Sequence, residues 1–457
     1  MPEALPLDPA GAAGTEVRLE QDGSVIRRSV LPGGIRVLSE AMPAQHSATV
    51  GAWVAVGSRD ETDGHHGSTH FLEHLLFKGT PRRDAMDIAT AFDAVGGEAN
   101  AATGKEHTCY YARVLDADLP MAVDVITDMV TSALLDAEEF ETERGVILEE
   151  LAMAGDDPVD VAHEQFAAAV LGPHPLGRPI GGTPATIRGV PREAVVEHYR
   201  RTYVPGELVV TAAGAVDHDV LCRQVLDAVR AGGWELDPAG RPAARRSAGD
   251  DALPSAGRTL TLRRTTEQAN VILGCQGLPA GDDRRWALSV LMTALGGGMS
   301  SRLFQEIRER RGLAYSTYAF ATSYAEAGTV GLYAGCAPEN AAQVVTLLGQ
   351  ELDRIAERPM PADELDRSIG QLSGNLVLGL EDTGSRMSRL GRAEIVHGEI
   401  TTIEETLDRI RAVTAAEVQE LAGELAARPR SLVVVGPFEH DLAGEVLADA
   451  EPVTTAP

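Results

Sequence analysis

Two histidines and a glutamate stand at a spacing that can bind and use a metal ion. Residues 70–74 read His-Phe-Leu-Glu-His, and on a helix His70 and His74 would share one face and reach the same ion. Glu73 would lie close enough to reach a water molecule on that ion. This HxxEH order is the reverse of HExxH and is typical of metal-assisted peptide hydrolysis. The alternative is an amphipathic helix in which both histidines are incidental.

A third protein ligand is needed for a catalytic zinc site, and residues 143–150, Glu-Arg-Gly-Val-Ile-Leu-Glu-Glu, offer candidates. Glu143 and Glu150 are two helical turns apart and share a face, whereas Glu149 points about 100° away. The alternative is a solvated acidic helix face. Because residues 146–148 are apolar, a glutamate on the buried side of this helix would need a partner.

The flanking residues predict the elements that position these groups. Ser68 or Thr69 is a good N-cap for a helix that carries the motif, and Gly79-Thr80-Pro81 would end it. Apolar runs and helical periodicity around the motif predict further elements. These are a strand at 49–56, a helix at 84–95, a strand at 109–114 and a helix at 120–134.

Composition limits the class of protein. The chain has 457 residues, of which 44% are hydrophobic and 24% charged, as expected for a soluble globular protein of two or three domains. The net charge of −28 disfavours nucleic-acid binding. That charge serves solubility or, alternatively, an acidic interior that attracts basic peptides. With no signal-peptide pattern and no long apolar stretch, we expect a cytoplasmic protein with no membrane partner.

A weak internal repeat predicts a duplicated fold. Residues 110–112 resemble residues 332–334, and residues 136–140 resemble residues 361–365 at an offset of 364 − 139 = 225. Two matches in the same order indicate two homologous halves. The predicted fold class is α+β, with two α/β-sandwich halves, each an antiparallel-rich sheet with helices packed on it.

The repeat and a Gly-, Pro- and Ala-rich segment give the domain boundaries. They predict a metal-binding domain at 23–236, a linker at 237–257, a homologous domain at 258–445, and loose termini at 1–22 and 446–457. Aligning Gly67-Ser68 with Gly298-Met299 leaves the second half without a metal motif. Opposite His70, Glu73 and His74 it has Ser301, Phe304 and Gln305.

The motif and the glutamate segment together resemble the pitrilysin/insulinase family of inverted-motif zinc peptidases. The chain is most similar to the branch of the mitochondrial processing peptidase and its bacterial relatives, over nearly its whole length. The resemblance implies that Zn²⁺ is bound by His70, His74 and Glu150, which lies 150 − 74 = 76 residues after the second histidine. It also implies that Glu73 is the general base and that Glu143 supports the site. Mn²⁺ or Co²⁺ could substitute for zinc.

A second matching segment concerns the substrate. Residues 96–103, Gly-Gly-Glu-Ala-Asn-Ala-Ala-Thr, resemble the family's edge strand, which pairs with substrate backbone as an added strand. We therefore expect substrate contacts at Asn100, Ala101 and Thr103, and we add Phe71 beside the ligands. The alternative for Asn100 is an ordinary turn residue after two glycines.

The second half supplies a matching Arg/Tyr pair. Residues 296–304, Gly-Gly-Gly-Met-Ser-Ser-Arg-Leu-Phe, lead to Arg308 and Tyr315, which resemble the family's pair that meets the substrate carbonyl and the developing oxyanion. By spacing alone, Arg310 or Tyr318 would serve equally, and only the resemblance ranks them. The triple glycine lacks a phosphate-loop GKS/T, so we expect no nucleotide.

The resemblance implies a zinc-dependent endopeptidase that acts on extended or unfolded peptides inside a closed chamber of two chains. Because this chain carries both the metal ligands and the Arg/Tyr pair, we expect an active homodimer. A heterodimer with a metal-free relative is the alternative. Relatives often favour basic residues, and the acidic charge agrees with that preference. Two other functions stay open, a non-catalytic scaffold of the same fold and a maturase for one small peptide-derived product.

Overall fold

The computed structural model describes residues 4–7, 14, 16–21, 23–246, 256–448 and 451–452. These residues divide into two compact units, each built from three segments of the chain. Unit 1 comprises Met1–Leu151, Pro179–Arg246 and Val377–Glu405, and unit 2 comprises Ala152–Arg178, Ser247–Leu376 and Thr406–Pro457.

The described residues form mixed helices and strands in alternation. The strands are β1 Ala4–Pro6, β2 Glu16–Gln21, β3 Ser24–Val30, β4 Arg36–Ala41, β5 Ser47–Val54, β6 Glu98–Thr103, β7 Thr108–Leu115, β8 Leu208–Gly214, β9 Arg258–Arg263, β10 Ala269–Gln276, β11 Ala314–Ser323, β12 Gly328–Cys336, β13 Glu399–Thr401, β14 Ser431–Gly436 and β15 Glu451–Pro452. The α-helices are α1 Ser68–Leu76, α2 Ala85–Asp93, α3 Leu119–Ser132, α4 Ala137–Asp156, α5 Pro158–Leu171, α6 Pro184–Gly189, α7 Arg192–Thr202, α8 His218–Ala231, α9 Arg285–Gly296, α10 Ala341–Glu357, α11 Ala362–Gly379, α12 Thr383–Arg392, α13 Ile403–Arg411, α14 Ala415–Ala427 and α15 Leu442–Val446. π-Helical turns lie at Phe304–Glu309 and Ala393–His397.

Unit 1 is built on a sheet with the strand order β2-β3-β4-β8-β5-β7-β6 among its described residues. Neighbouring strands are antiparallel except β4 and β8. Helices α1, α2, α3, α4 and α8 bury their apolar faces on one side of this sheet, and α12 covers the other side. Central strand β5 is therefore buried along nearly its whole length.

Unit 2 repeats the plan on a sheet with the order β11-β12-β10-β14-β9-β15 in the described part of the chain. Helices α9, α10 and α14 pack on one face, and α5 covers the other. Helix α5 begins at Pro158 and α12 at Thr383, and 158 + 225 = 383, the offset of the sequence repeat. The predicted fold class, two homologous α/β halves, is confirmed.

The helices α5 and α12 are exchanged between the halves: each packs on the sheet of the other half. The predicted domain boundaries did not include this exchange. Helix α5 lies within the range 23–236, yet Phe166 and Val170 pack against the second sheet. Likewise, Met387 and Leu390 of α12 pack on the first sheet. The apolar face of a helix predicts that the helix packs on a sheet, but it does not predict which of the two sheets that is. Of the predicted linker 237–257, residues 247–255 lie outside the described residues.

The described parts of the predicted loose termini contain strands. Strand β2 pairs with β3 in antiparallel register, because Leu19 alternates with polar residues and points inward, where it is 3% exposed. Strand β1 pairs with β13, and β15 pairs with β9. The remaining residues of 1–13 and 449–457 that were expected to be loose lie outside the description, apart from Leu7.

The predicted strands and helices of the first half are confirmed to within a few residues as β5, α2, β7 and α3. The four cysteines are free, and Cys109, Cys275 and Cys336 are buried. Among the described helices, none combines the length and the apolar character needed to cross a membrane.

Candidate metal centre

Helix α1 carries the HxxEH motif and is fixed at its first turn by a remote carboxylate. Gly67 is the N-cap, with φ 96°, a conformation that favours glycine. Glu61 accepts hydrogen bonds from the backbone nitrogens of Gly67 at 2.8 Å and of Thr69 at 2.7 Å. The expected Ser or Thr cap is therefore wrong. A carboxylate at this end of the helix also interacts favourably with the helix dipole.

The three predicted ligands converge on one point. His70 Nε2 and His74 Nε2 lie 3.3 Å apart, and Glu150 Oε2 lies 3.7 Å from the first and 3.4 Å from the second. Tetrahedral ligands bound to zinc at about 2.0–2.1 Å are about 3.3–3.4 Å from one another. The triangle of donor atoms therefore fits a zinc ion with a fourth position left for water or substrate.

The environment of His70 suits a metal ligand. Burial lowers the pKa of His70, and the neighbouring His74 lowers it further, so the imidazole is held in the neutral form that binds metals. Within the described part of the chain, His70 Nδ1 is buried and has no hydrogen-bond partner. His70 Nε2, which faces His74 and Glu150, is thus the nitrogen through which this side chain can bind.

Glu143 supports His74 from behind. Its side chain is 3% exposed; Oε2 lies 2.8 Å from His74 Nδ1 and Oε1 lies 2.5 Å from Lys78 Nζ. Burial alone would raise the pKa of Glu143, but the Lys78 and His74 contacts hold the pKa below its usual value. The carboxylate therefore accepts a hydrogen bond from His74 Nδ1–H, which leaves His74 Nε2 directed at the metal position. Glu149 and Glu150 are both exposed, and Glu150 is the one whose carboxylate lies beside both histidines.

The candidate base lies beside the ligands and touches the edge strand. Glu73 Oε2 accepts a hydrogen bond from Thr103 Oγ1, at the end of β6. Among the described strands, β6 pairs with β7 alone, so its other edge can accept an added strand. Asn100 is exposed on β6, where its Oδ1 accepts a hydrogen bond from the Ala101 nitrogen at 2.8 Å. Asn100 is therefore a strand residue, as expected, rather than a turn residue.

Phe71 was wrongly assigned to substrate binding. Its side chain is 0% exposed and stacks on Phe140, with ring centroids 4.3 Å apart and an interplanar angle of 10°. The Arg144 guanidinium lies over both rings. Phe71 follows His70 on the helix, but one residue turns the side chain by about 100°, into the core.

The Arg/Tyr pair of unit 2 is assembled by two irregular elements. Arg308 lies in the π-helical turn Phe304–Glu309, and Tyr315 is the extra residue where the β11–β12 register shifts. Arg308 Nη1 donates to the Tyr315 carbonyl oxygen at 3.1 Å, and its guanidinium lies 4.6 Å from the Tyr315 ring centroid. The bulge turns Tyr315 outward, to 75% exposure.

The two residues that spacing alone could not exclude have other partners. Arg310 Nη1 lies 3.0 Å from Glu306 Oε2, and the Tyr318 hydroxyl lies 2.7 Å from His163 Nε2. The Tyr318 hydroxyl is therefore engaged, whereas Tyr315 is 75% exposed, which favours Tyr315 for contact with a substrate. Arg308 and Arg310 both have partners, so the choice of Arg308 rests on its contact with Tyr315 and on the resemblance.

Sequence reasoning missed two residues of the centre, Lys78 and Glu61. Lys78 lies four residues after His74, a spacing that shares a helix face and could have drawn attention. Glu61 gave no such signal, because it reaches the helix from an irregular segment.

Comparisons with known proteins agree with this geometry. The family described as insulinase (peptidase family M16) matches residues 36–184, and the peptidase M16 inactive domain matches residues 189–372. The description of the second domain agrees with the absence of the HxxEH motif there. The two matches together span most of the chain.

Curated relatives match over almost the full length of both chains. An uncharacterized zinc protease of Streptomyces coelicolor is 50% identical and covers 94% of this chain and 94% of its own. One of Mycobacterium tuberculosis is 47% identical over 96% of each chain. The uncharacterized zinc protease YmxG of Bacillus subtilis is 36% identical over 90% of this chain and 98% of its own.

Solved structures share the fold at low sequence identity. A peptidase M16 inactive domain from Pseudomonas fluorescens aligns with a TM-score of 0.80 at 18% identity, covering 90% of this chain and 98% of that one. A protease from Helicobacter pylori aligns with a TM-score of 0.77 at 20% identity, covering 89% and 98%.

Proposed function

Because the chain belongs to the insulinase family, peptidase family M16, we propose that it is a zinc-dependent endopeptidase that hydrolyses extended or unfolded peptides. The observation that carries the proposal is the triangle of His70, His74 and Glu150, with Glu73 beside it. That its relatives are named zinc proteases supports the same activity. A scaffold that had lost catalysis would have no need to retain all four groups.

The side chains of unit 1 divide the chemistry among them. Bound zinc supplies a Lewis acid, which makes hydrolysis by water possible at neutral pH. Glu73 takes the proton from the attacking water and passes it to the leaving amine. Thr103 holds the Glu73 carboxylate, and the free edge of β6 aligns the substrate backbone. Strand addition reads backbone rather than side chains, which suits unfolded substrates.

The Arg308–Tyr315 pair completes the proposed site as donors to the oxyanion. We propose that two copies of the chain form a closed chamber in which the pair of one subunit serves the metal site of its partner. A chamber of this kind admits only polypeptide segments without tertiary structure. The net negative charge of the chain favours basic segments. A heterodimer with a metal-free relative is the competing assembly. The cytoplasmic location stays a prediction.

Mixing two inactive variants tests the shared site. Glu73→Gln and Tyr315→Phe homodimers each lack one essential group at both sites. If sites are shared between subunits, mixed dimers contain one complete site, and random exchange restores about a quarter of the wild-type activity. If each chain builds its own site, mixing restores nothing.

The activity itself is tested with a fluorogenic peptide library. Cleavage that a chelator abolishes, and that Glu73→Gln lowers by about 10²- to 10⁴-fold while zinc stays bound, supports the peptidase. Undiminished cleavage by this variant contradicts the role of Glu73. Bound zinc without cleavage of any library member points to a maturase with one dedicated substrate or to a missing partner. If the protein neither binds zinc nor cleaves any peptide, that result supports the scaffold function.

A further inference from the structure

The chain uses lysine very sparingly. Of its 40 lysine and arginine residues, two are lysines, Lys78 and Lys105, which leaves 40 − 2 = 38 arginines. One of these two lysines contacts the buried carboxylate behind a metal ligand. A strong preference for arginine elsewhere makes the choice of lysine at this position informative.

A continuous line of contacts runs from Lys78 to the metal position. Lys78 Nζ lies 2.5 Å from Glu143 Oε1, and Glu143 Oε2 lies 2.8 Å from His74 Nδ1. His74 Nε2 in turn lies 3.3 Å from His70 Nε2. Lys78 follows the end of α1, whereas Glu143 lies on α4. The ammonium group therefore ties the two helices that supply the metal ligands.

The contact meets a requirement of the buried carboxylate. Glu143 is 3% exposed, and a buried carboxylate oxygen without a partner is costly. Lys78 occupies one oxygen and His74 the other, so the carboxylate is held in one orientation. An ammonium is a compact point charge that can meet a single oxygen, whereas the guanidinium of arginine is a wide fork that prefers two. Here the second oxygen is already needed by His74.

We propose that Lys78 is a positioning residue of the metal centre. By holding Glu143 Oε1 it fixes Glu143 Oε2 on His74 Nδ1, and it thereby directs His74 Nε2 toward the ion. The inference rests on the proposed function for the identity of the ion. It assigns Lys78 no contact with substrate or with the reacting atoms.

Zinc affinity, measured by competition with a chromophoric chelator, tests the assignment directly. Lys78→Met keeps the length of the side chain and removes its charge, and we expect zinc affinity to fall by about 10- to 100-fold. Lys78→Arg keeps the positive charge but has the wrong geometry. Its zinc affinity should lie between that of Lys78→Met and that of the wild type. Lys105→Met removes the other lysine charge and should bind zinc as the wild type does.

Activity at saturating zinc provides the second readout. Because Lys78 acts through metal binding, excess zinc should return the kcat of Lys78→Met to within a few-fold of the wild type. Wild-type zinc affinity in Lys78→Met, or an equal loss in Lys105→Met, would overturn the inference. If Lys78→Met does not fold, Lys78→Arg is the test. A zinc affinity of Lys78→Arg equal to that of the wild type would also overturn the inference.

These outcomes are separable from failure of the proposed function. A wild-type protein that binds zinc but cleaves no library peptide points to a maturase or a missing partner instead of a general peptidase, yet the affinity order of the variants still tests Lys78. A wild-type protein that binds no zinc overturns both. A wild type that binds and cleaves, beside a Lys78→Met variant with unchanged affinity, overturns this inference alone.

Discussion

The Thr103 hydroxyl donates a hydrogen bond to Glu73 Oε2, and so joins the edge strand β6 to the helix that bears the metal ligands. The strand that we expect to align a substrate therefore ends on the residue that we expect to move its proton. A polypeptide added to this edge would be placed in register with the base. This contact holds one oxygen of the half-buried Glu73 carboxylate.

Replacing Thr103 by valine should lower kcat about 10-fold, because Glu73 loses the donor that orients it. Zinc content should be unchanged, since Thr103 contacts no ligand among the described interactions. Thr103→Ser keeps the hydroxyl and should retain most of the activity. Peptide cleavage with parallel metal analysis checks both variants. Equal kcat in the valine variant and the wild type would show that the contact has no role in orientation.

Removing the metal should abolish cleavage and lower the melting temperature. An ion that binds only the folded chain stabilises it by about 2.7 kcal/mol when the free concentration of the ion is about 100 times its dissociation constant. Glu150→Gln keeps the size of the third ligand but weakens it, so this variant should lose zinc at a chelator concentration that the wild type survives. Differential scanning calorimetry with and without zinc measures the shift. An unchanged melting temperature would argue against a tightly bound ion.

Stability should fall as the pH drops below about 6.5. Burial is the main cause that lowers the pKa of His107, His198 and His218 to about 4 in the folded chain. Below pH 6.5 the unfolded chain takes up protons that the folded chain does not, so stability is present above this pH and is lost toward pH 4. Each histidine contributes at most about 1.4 kcal/mol per pH unit.

Chemical denaturation of metal-free protein between pH 5 and 7 measures this slope, in a range where most carboxyl groups stay ionised. His198→Gln should reduce the slope by about one proton, because His198 is 4% exposed and contributes directly to the difference. A free energy of unfolding that is flat over this range would contradict the buried neutral histidines.

Phe71→Leu should reduce stability without changing substrate affinity. The variant loses the stacking on Phe140 and part of the buried area, which costs about 1–2 kcal/mol. Because Phe71 has no exposed surface, KM should stay within a factor of about two. Urea unfolding and peptide kinetics check the two parts separately. A large rise in KM at unchanged stability would restore Phe71 to the substrate site.

The candidate metal centre of the first half could be predicted from the sequence because it depends on short spacings. His70 and His74 are neighbours on any helix, and Glu143 and Glu150 share a face on any helix, so local periodicity was sufficient. The family resemblance then joined the two segments across 76 residues, and the donor atoms of His70, His74 and Glu150 do meet. The duplication could also be predicted, since its offset of 225 is visible in residues 136–140 and 361–365.

Only the tertiary structure showed which helices, strands and loops contact one another. The exchange of α5 and α12, the capping of α1 by Glu61, the contact of Lys78 with Glu143 and the burial of Phe71 join residues that no local pattern links. Periodicity gives the apolar face of a helix, but the partner of that face is chosen by packing across the whole unit. The sequence by itself therefore determined the candidate catalytic groups, and the fold determined what holds them in place.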